Sequence, residues 1–153
     1  MLTSRARMTT RVLKRCKMGC IMGYYPPNYW LVGSAQSCLL PVLIAYRSKG
    51  YPTTAIYTFL WLASSYYHST YSKTAYYIDQ VALWIAFVRS FVDGYNTYPY
   101  GFLCAVAANG YNYYMYFYAK HCFHSDLRIA TAAHATMHIF SAIALSIQML
   151  LSV

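Results

Sequence analysis

Between residues 28 and 151 the chain passes through five apolar stretches, 28–46, 53–70, 75–92, 99–118 and 129–151, joined by short polar turns. At a rise of 1.5 Å per residue, about 20 such residues cross the ~30 Å hydrocarbon core of a bilayer. Backbone polar groups in lipid must be satisfied within their own segment, so stretches of this kind can only be helices. The expected fold is all-α, a polytopic transmembrane bundle of five spans. Composition agrees: 59% of the 153 residues are hydrophobic and 10% are charged, against about 25% charged in soluble domains.

The breaks follow proline, glycine and interfacial tyrosine. Tyr24-Tyr25-Pro26-Pro27 separates a basic tail, residues 1–23, from a single transmembrane domain, residues 24–153. Asp93-Gly94-Tyr95-Asn96 reads as a turn after the third span, and Asn109-Gly110 as an interruption of the fourth. Pro41 predicts a kink in the first.

The formal charge is +9, because Asp79, Asp93 and Asp126 are the only acids opposing 12 Lys and Arg. Six of these bases (Arg5, Arg7, Arg11, Lys14, Arg15, Lys17) fall in the tail. The tail reads as a cytosolic or matrix-facing anchor to anionic membrane lipids, or as an acid-free mitochondrial presequence. Both a mitochondrial inner-membrane and an ER or Golgi location fit it. No aromatic residue is interleaved with the bases before Tyr24, so nucleic acid is not an expected partner. With the N-terminus inside, Lys73, Lys120 and Arg128 join the six tail bases on the inner side, while Arg47 and Lys49 lie outside. The positive-inside rule then places the N-terminus inside and the C-terminus outside. Arg89 in the third span is expected to snorkel to the outer interface, with Asp93 four residues on as its partner.

Cys16, Cys20, Cys38, Cys104 and Cys122 form no CxxC pair and are odd in number, so a disulfide framework is not expected. Cys16 and Cys20 are candidate palmitoylation sites. His121, Cys122, His124 and Asp126 read as a solvated loop, although their types are those of a metal cluster.

Ionisable groups within membrane-length apolar segments are costly there and mark functional sites. His134 and His138, four residues apart, share one helix face and can chelate one ion. Ser64 and His68 share a face by the same spacing. With the topology above, His68, Asp79, His134 and His138 all fall in the inner half of the bilayer. Three imidazoles and one open position make the arrangement of catalytic zinc. Asp79 is then placed as general base, and Ser64 as the group that orients water or donates to an oxyanion. Haem fits less well, because His134 and His138 on one face cannot take both axial positions of one porphyrin.

Ser64-x3-His68, Asp79 eleven residues on, and His134-x3-His138 in the last span resemble the CREST superfamily of alkaline ceramidases and of progestin and adiponectin receptors. The resemblance implies an intramembrane zinc site at His68, His134 and His138 with Asp79 and Ser64 beside it, and hydrolysis of lipid amides or esters. Members of that family have seven spans; this chain has room for five. The expected functions are a ceramidase-like zinc hydrolase, a non-catalytic subunit of a larger membrane complex that retains the metal, or a lipid-sensing module. The fourth span, with Tyr111, Tyr113, Tyr114, Tyr116 and Tyr118 among the chain's 19 tyrosines, suggests contact with other protein.

Overall fold

A computed structural model describes residues 27–70, 72–118 and 121–151. The basic tail, Cys16, Cys20 and Tyr24-Tyr25-Pro26 lie outside the described residues. The described chain is all-helical. Its five helices are α1 (Tyr29–Arg47), α2 (Tyr51–Ser69), α3 (Lys73–Asn96), α4 (Tyr100–Tyr113) and α5 (Leu127–Leu150).

Local chemistry starts four of the five helices where the polar turns end. The Asn28 side chain accepts from the Trp30 and Leu31 amides, Ser72 from Ala75, and Asp126 from Arg128, so each satisfies otherwise orphaned first-turn N–H groups. Pro52 sits in the first turn of α2, where its missing N–H costs nothing. Pro41 has no N–H to offer the Ser37 carbonyl, and α1 tightens to a 3-10 turn at Gln36–Cys38. The predicted irregularity therefore lies one turn before the proline.

Two expected breaks are not breaks. Helix α4 runs through Asn109-Gly110, because the Asn109 amide donates to the Ala105 carbonyl of its own helix (2.8 Å) and to Ser90 Oγ on α3 (2.8 Å). Only at Tyr114–Tyr118 does the chain widen into a π-helical turn. Helix α3 likewise continues past Asp93-Gly94 to Asn96. Asp93 is held by Arg89 one turn earlier instead of capping a turn, with Arg89 Nη2 2.7 Å from Asp93 Oδ1. Gly94 serves a close helix approach: a Cβ there would lie 3.0 Å from the Gly101 carbonyl oxygen and 3.2 Å from Ala105 Cβ on α4.

The helices pack in a ring, each against its neighbours in sequence and α5 against α1. Short connections make successive helices antiparallel. Asn28 to Thr131 and Ser34 to His138 are matched contacts that rise together along α1 and α5, so the two ends of the ring close in parallel. Alanines fill the contacts, among them Ala35, Ala45, Ala86, Ala105, Ala108, Ala130 and Ala144. Small side chains of this kind let helix backbones approach closely, as in membrane bundles.

Helices α1 and α5 are long and apolar enough to cross a membrane. The other three fall short of that measure for visible reasons: α2 is rich in Tyr, Thr and Ser, α3 carries Lys73, Asp79, Arg89 and Asp93, and α4 has only 14 regular residues.

Arg89 and Asp93 do pair, and Thr53 of α2 joins them: Arg89 Nε donates to Thr53 Oγ1 (2.9 Å) and to Asp93 Oδ2 (3.0 Å). Replacing Asp93 by Ala strands the partly buried guanidinium, and should destabilise the bundle by about 1–3 kcal/mol. Thermal unfolding in detergent should show a larger loss for Asp93→Ala than for Thr53→Val; equal or absent losses would show that the triad is not a tie between α2 and α3.

Candidate metal centre

His68 ends α2, one turn after Ser64, and both are buried. His134 and His138 follow each other by one turn on α5, a turn or more inside its N-terminus. The ring closure brings these two helices together. The His68 ring centroid lies 4.9 Å from His134 and 5.0 Å from His138, and those two are 4.9 Å apart. One nitrogen from each ring falls within 4.8 Å of the others, and the three histidines can hold a metal ion. A tetrahedral ion at about 2.0–2.1 Å from each nitrogen keeps such atoms about 3.4 Å apart, so small rotamer adjustments suffice.

The strongest sign is at His68. It is 2% exposed, and neither ring nitrogen has a hydrogen-bond partner among the described residues. A neutral imidazole carries one N–H and one lone pair, and each buried polar atom left unmet costs about 1–3 kcal/mol. Coordination satisfies one of the two nitrogens directly.

His138 is prepared from the other side. Its Nδ1 lies 2.9 Å from Ser34 Oγ, while the Ser34 hydroxyl donates to the Leu31 carbonyl (3.0 Å). When the Ser34 proton stays on that carbonyl, Ser34 accepts from His138; the tautomer with its proton on Nδ1 then leaves the Nε2 lone pair for a metal, the usual support for a ligating histidine.

Asp79, one to two turns into α3, is buried beside this group. Its carboxylate accepts hydrogen bonds from Ser64 and from Gln80 Nε2 (3.4 Å). It is not one of the mutually close ligand atoms, in keeping with a neighbour and not a ligand. All five predicted site residues thus converge at one end of the bundle.

From there a cavity of about 160 Å³ runs along the bundle axis, lined by all five helices. Ser64, Asp79, His134 and His138 form its polar end, followed by Leu60, Leu83, Phe87 and Leu145. Trp84 of α3 and Tyr113 of α4 also line it and are exposed, which marks a side opening between these two helices.

The loop His121, Cys122, His124 and Asp126 forms no metal cluster among the described residues. His124 Nδ1 accepts from the Asp126 amide (3.0 Å). Cys122 is buried and donates to Met137 Sδ (3.1 Å), and burial pushes its thiol up to about 12, so it stays protonated and is a poor ligand. Cys38, Cys104 and Cys122 are all free thiols.

Sequence reasoning missed Ser34, Gln80 and the aromatic casing, in which Tyr67 packs on His68 at 4.7 Å and Tyr116 faces His134 at 6.3 Å. Ser34 is 104 residues from His138, and no spacing rule connects them. No family model, curated protein or solved structure matches the chain.

Ser34→Ala should weaken metal binding about 10–100-fold with the fold intact, whereas His68→Ala should abolish stoichiometric metal. Competition with a chelator and metal analysis of purified protein would measure both; unaltered affinity in Ser34→Ala removes its supporting role.

Proposed function

We propose that the chain is a five-span membrane protein, a shortened form of the CREST type, that holds zinc at His68, His134 and His138 and hydrolyses an amide or ester bond of a membrane lipid. The observation that carries this is the triangle of imidazoles, with His68 and His134 buried and His68 unsatisfied among the described residues, opening on an apolar cavity beside Asp79.

Five spans are supported by the inside-out distribution of side chains. Leu43, Leu62, Val88, Leu103 and Ile143, one from each helix, are exposed, while Ser64, His68, Asp79, Ser90, His134 and Gln148 are buried. Apolar surface on every helix exceeds what a soluble monomer exposes, and lipid is the solvent that suits it. The N-inside orientation rests on the distribution of basic residues.

Three imidazoles with one open position are the donor set of a catalytic zinc site. Zinc bound there supplies Lewis-acid polarisation of a carbonyl and a lowered pKa for water. The chain's own residues do the rest. Asp79 takes the proton of the attacking water and returns it to the leaving nitrogen or oxygen. Ser64 holds the Asp79 carboxylate and orients water against it. Ser34 keeps His138 in the ligating tautomer. The opening at Trp84 and Tyr113 admits a lipid chain sideways, and the apolar wall excludes bulk water.

A second reading, a non-catalytic subunit of a larger membrane complex that keeps the metal as a structural tie, is favoured by the exposed Tyr100 and Tyr113 of α4 and Tyr114 and Tyr118 of the π-helical turn after it. Tyrosine-rich surface of this kind suits a protein partner better than acyl chains.

Asp79→Asn separates the two. The variant should keep its zinc and lose at least about 10²-fold in release of fatty acid from lipid amides or esters, the usual scale for a general base. If wild type and variant share one background rate, the hydrolase reading fails. Blue-native electrophoresis in mild detergent then decides the subunit reading, which fails if the protein migrates alone.

A further inference from the structure

The end of the cavity far from the histidines is polar as well. Tyr57 of α2 is 1% exposed and lines the cavity, and its hydroxyl has no hydrogen-bond partner among the described residues. It packs with Ala86 of α3 and Ala108 of α4. Ser90, one turn beyond Ala86, and Asn109, next to Ala108, line the same end.

These two neighbours are already engaged in holding helices together. Asn109 Nδ2 donates to Ser90 Oγ, Ser90 Oγ donates to the Phe87 carbonyl (2.8 Å), and Gln148 Nε2 donates to the Ser90 carbonyl. The Tyr57 hydroxyl has no such partner among the described residues and is able both to donate and to accept. A buried hydroxyl facing a cavity without a partner is a reason to look for a ligand atom there.

Tyr57 lies seven residues before Ser64 on α2, and Ser90 eleven after Asp79 on α3, so the backbone positions that carry the two polar ends are about 10–16 Å apart along their helices. The space between them is walled by Leu60, Leu83, Phe87 and Leu145. The geometry points to a ligand with two polar ends: a single apolar chain whose first polar group lies at the histidines and whose far end carries a hydroxyl or carbonyl bound by Tyr57. The ligand class is an acyl chain oxygenated at or near its far end. The inference rests on the metal reading for the first polar group only.

The test uses zinc-loaded protein in nanodiscs, with decanoate and ω-hydroxydecanoate as probes and isothermal titration calorimetry as the readout. Wild type should prefer ω-hydroxydecanoate, and Tyr57→Phe should reduce that preference about tenfold, the worth of one hydrogen bond. Comparing the two proteins cancels any difference in how the probes partition into lipid. Zinc content and decanoate affinity should stay unchanged in Tyr57→Phe, since the ring and its packing remain. A preference that survives Tyr57→Phe, or no preference in wild type, overturns the inference and leaves water as the occupant of that end. Loss of decanoate binding in a His134→Ala/His138→Ala variant reports on the metal end separately, so the two readings fail by different results.

Discussion

Three imidazoles packed within about 5 Å of one another, in the interior of a helical bundle, set the terms for the rest of this molecule. Each neutral ring needs a donor and an acceptor met, and two unmet atoms at His68 alone are costly beside a domain stability of about 5–15 kcal/mol. A bound cation is the economical way to meet three lone pairs at once. The rings come from two helices, and a third helix orients one of them through Ser34. Closure of α1 and α2 against α5 is thus coupled to the site, and metal that binds only the closed ring stabilises it by mass action.

The ring leaves space at its centre because its contacts are made by alanine and glycine. Small side chains draw neighbouring backbones together, as Gly94 and Gly101 do for α3 and α4, but they do not reach across the bundle. The interior is filled instead by polar groups at the two ends and by a handful of leucine and phenylalanine side chains between them. At the end away from the histidines, Arg89, Asp93 and Thr53 join α2 to α3. Each end is therefore held by polar contacts, and the cavity between them is walled by apolar side chains.

Much of this was legible beforehand for simple reasons. The five helices lie within a few residues of the five apolar stretches, since proline, glycine and capping side chains interrupt them at the ends. His134 and His138 had to share a face, and so did Ser64 and His68, because helical periodicity is local. Where reading by residue type went astray, a tertiary partner had claimed the residue: Asn109 donates to Ser90 instead of ending α4, and Asp93 holds Arg89 instead of opening a turn. Turn chemistry read from short segments takes no account of a hydrogen bond from another helix.

Chain order and hydropathy by themselves determined an all-helical molecule and roughly where its helices lie, and helical spacing put Ser64 with His68, and His134 with His138, on shared faces. Only the tertiary structure decided that the helices close into a ring with α5 against α1. That closure brings the three rings within ligating distance, presents Ser34 to His138, sets Tyr57, whose hydroxyl has no partner among the described residues, against the cavity, and opens the wall between α3 and α4. The division has a physical cause. Periodicity and the cost of exposing backbone act over a few residues, whereas contacts across 66 to 104 residues depend on which small faces pack, and nothing in local spacing records that.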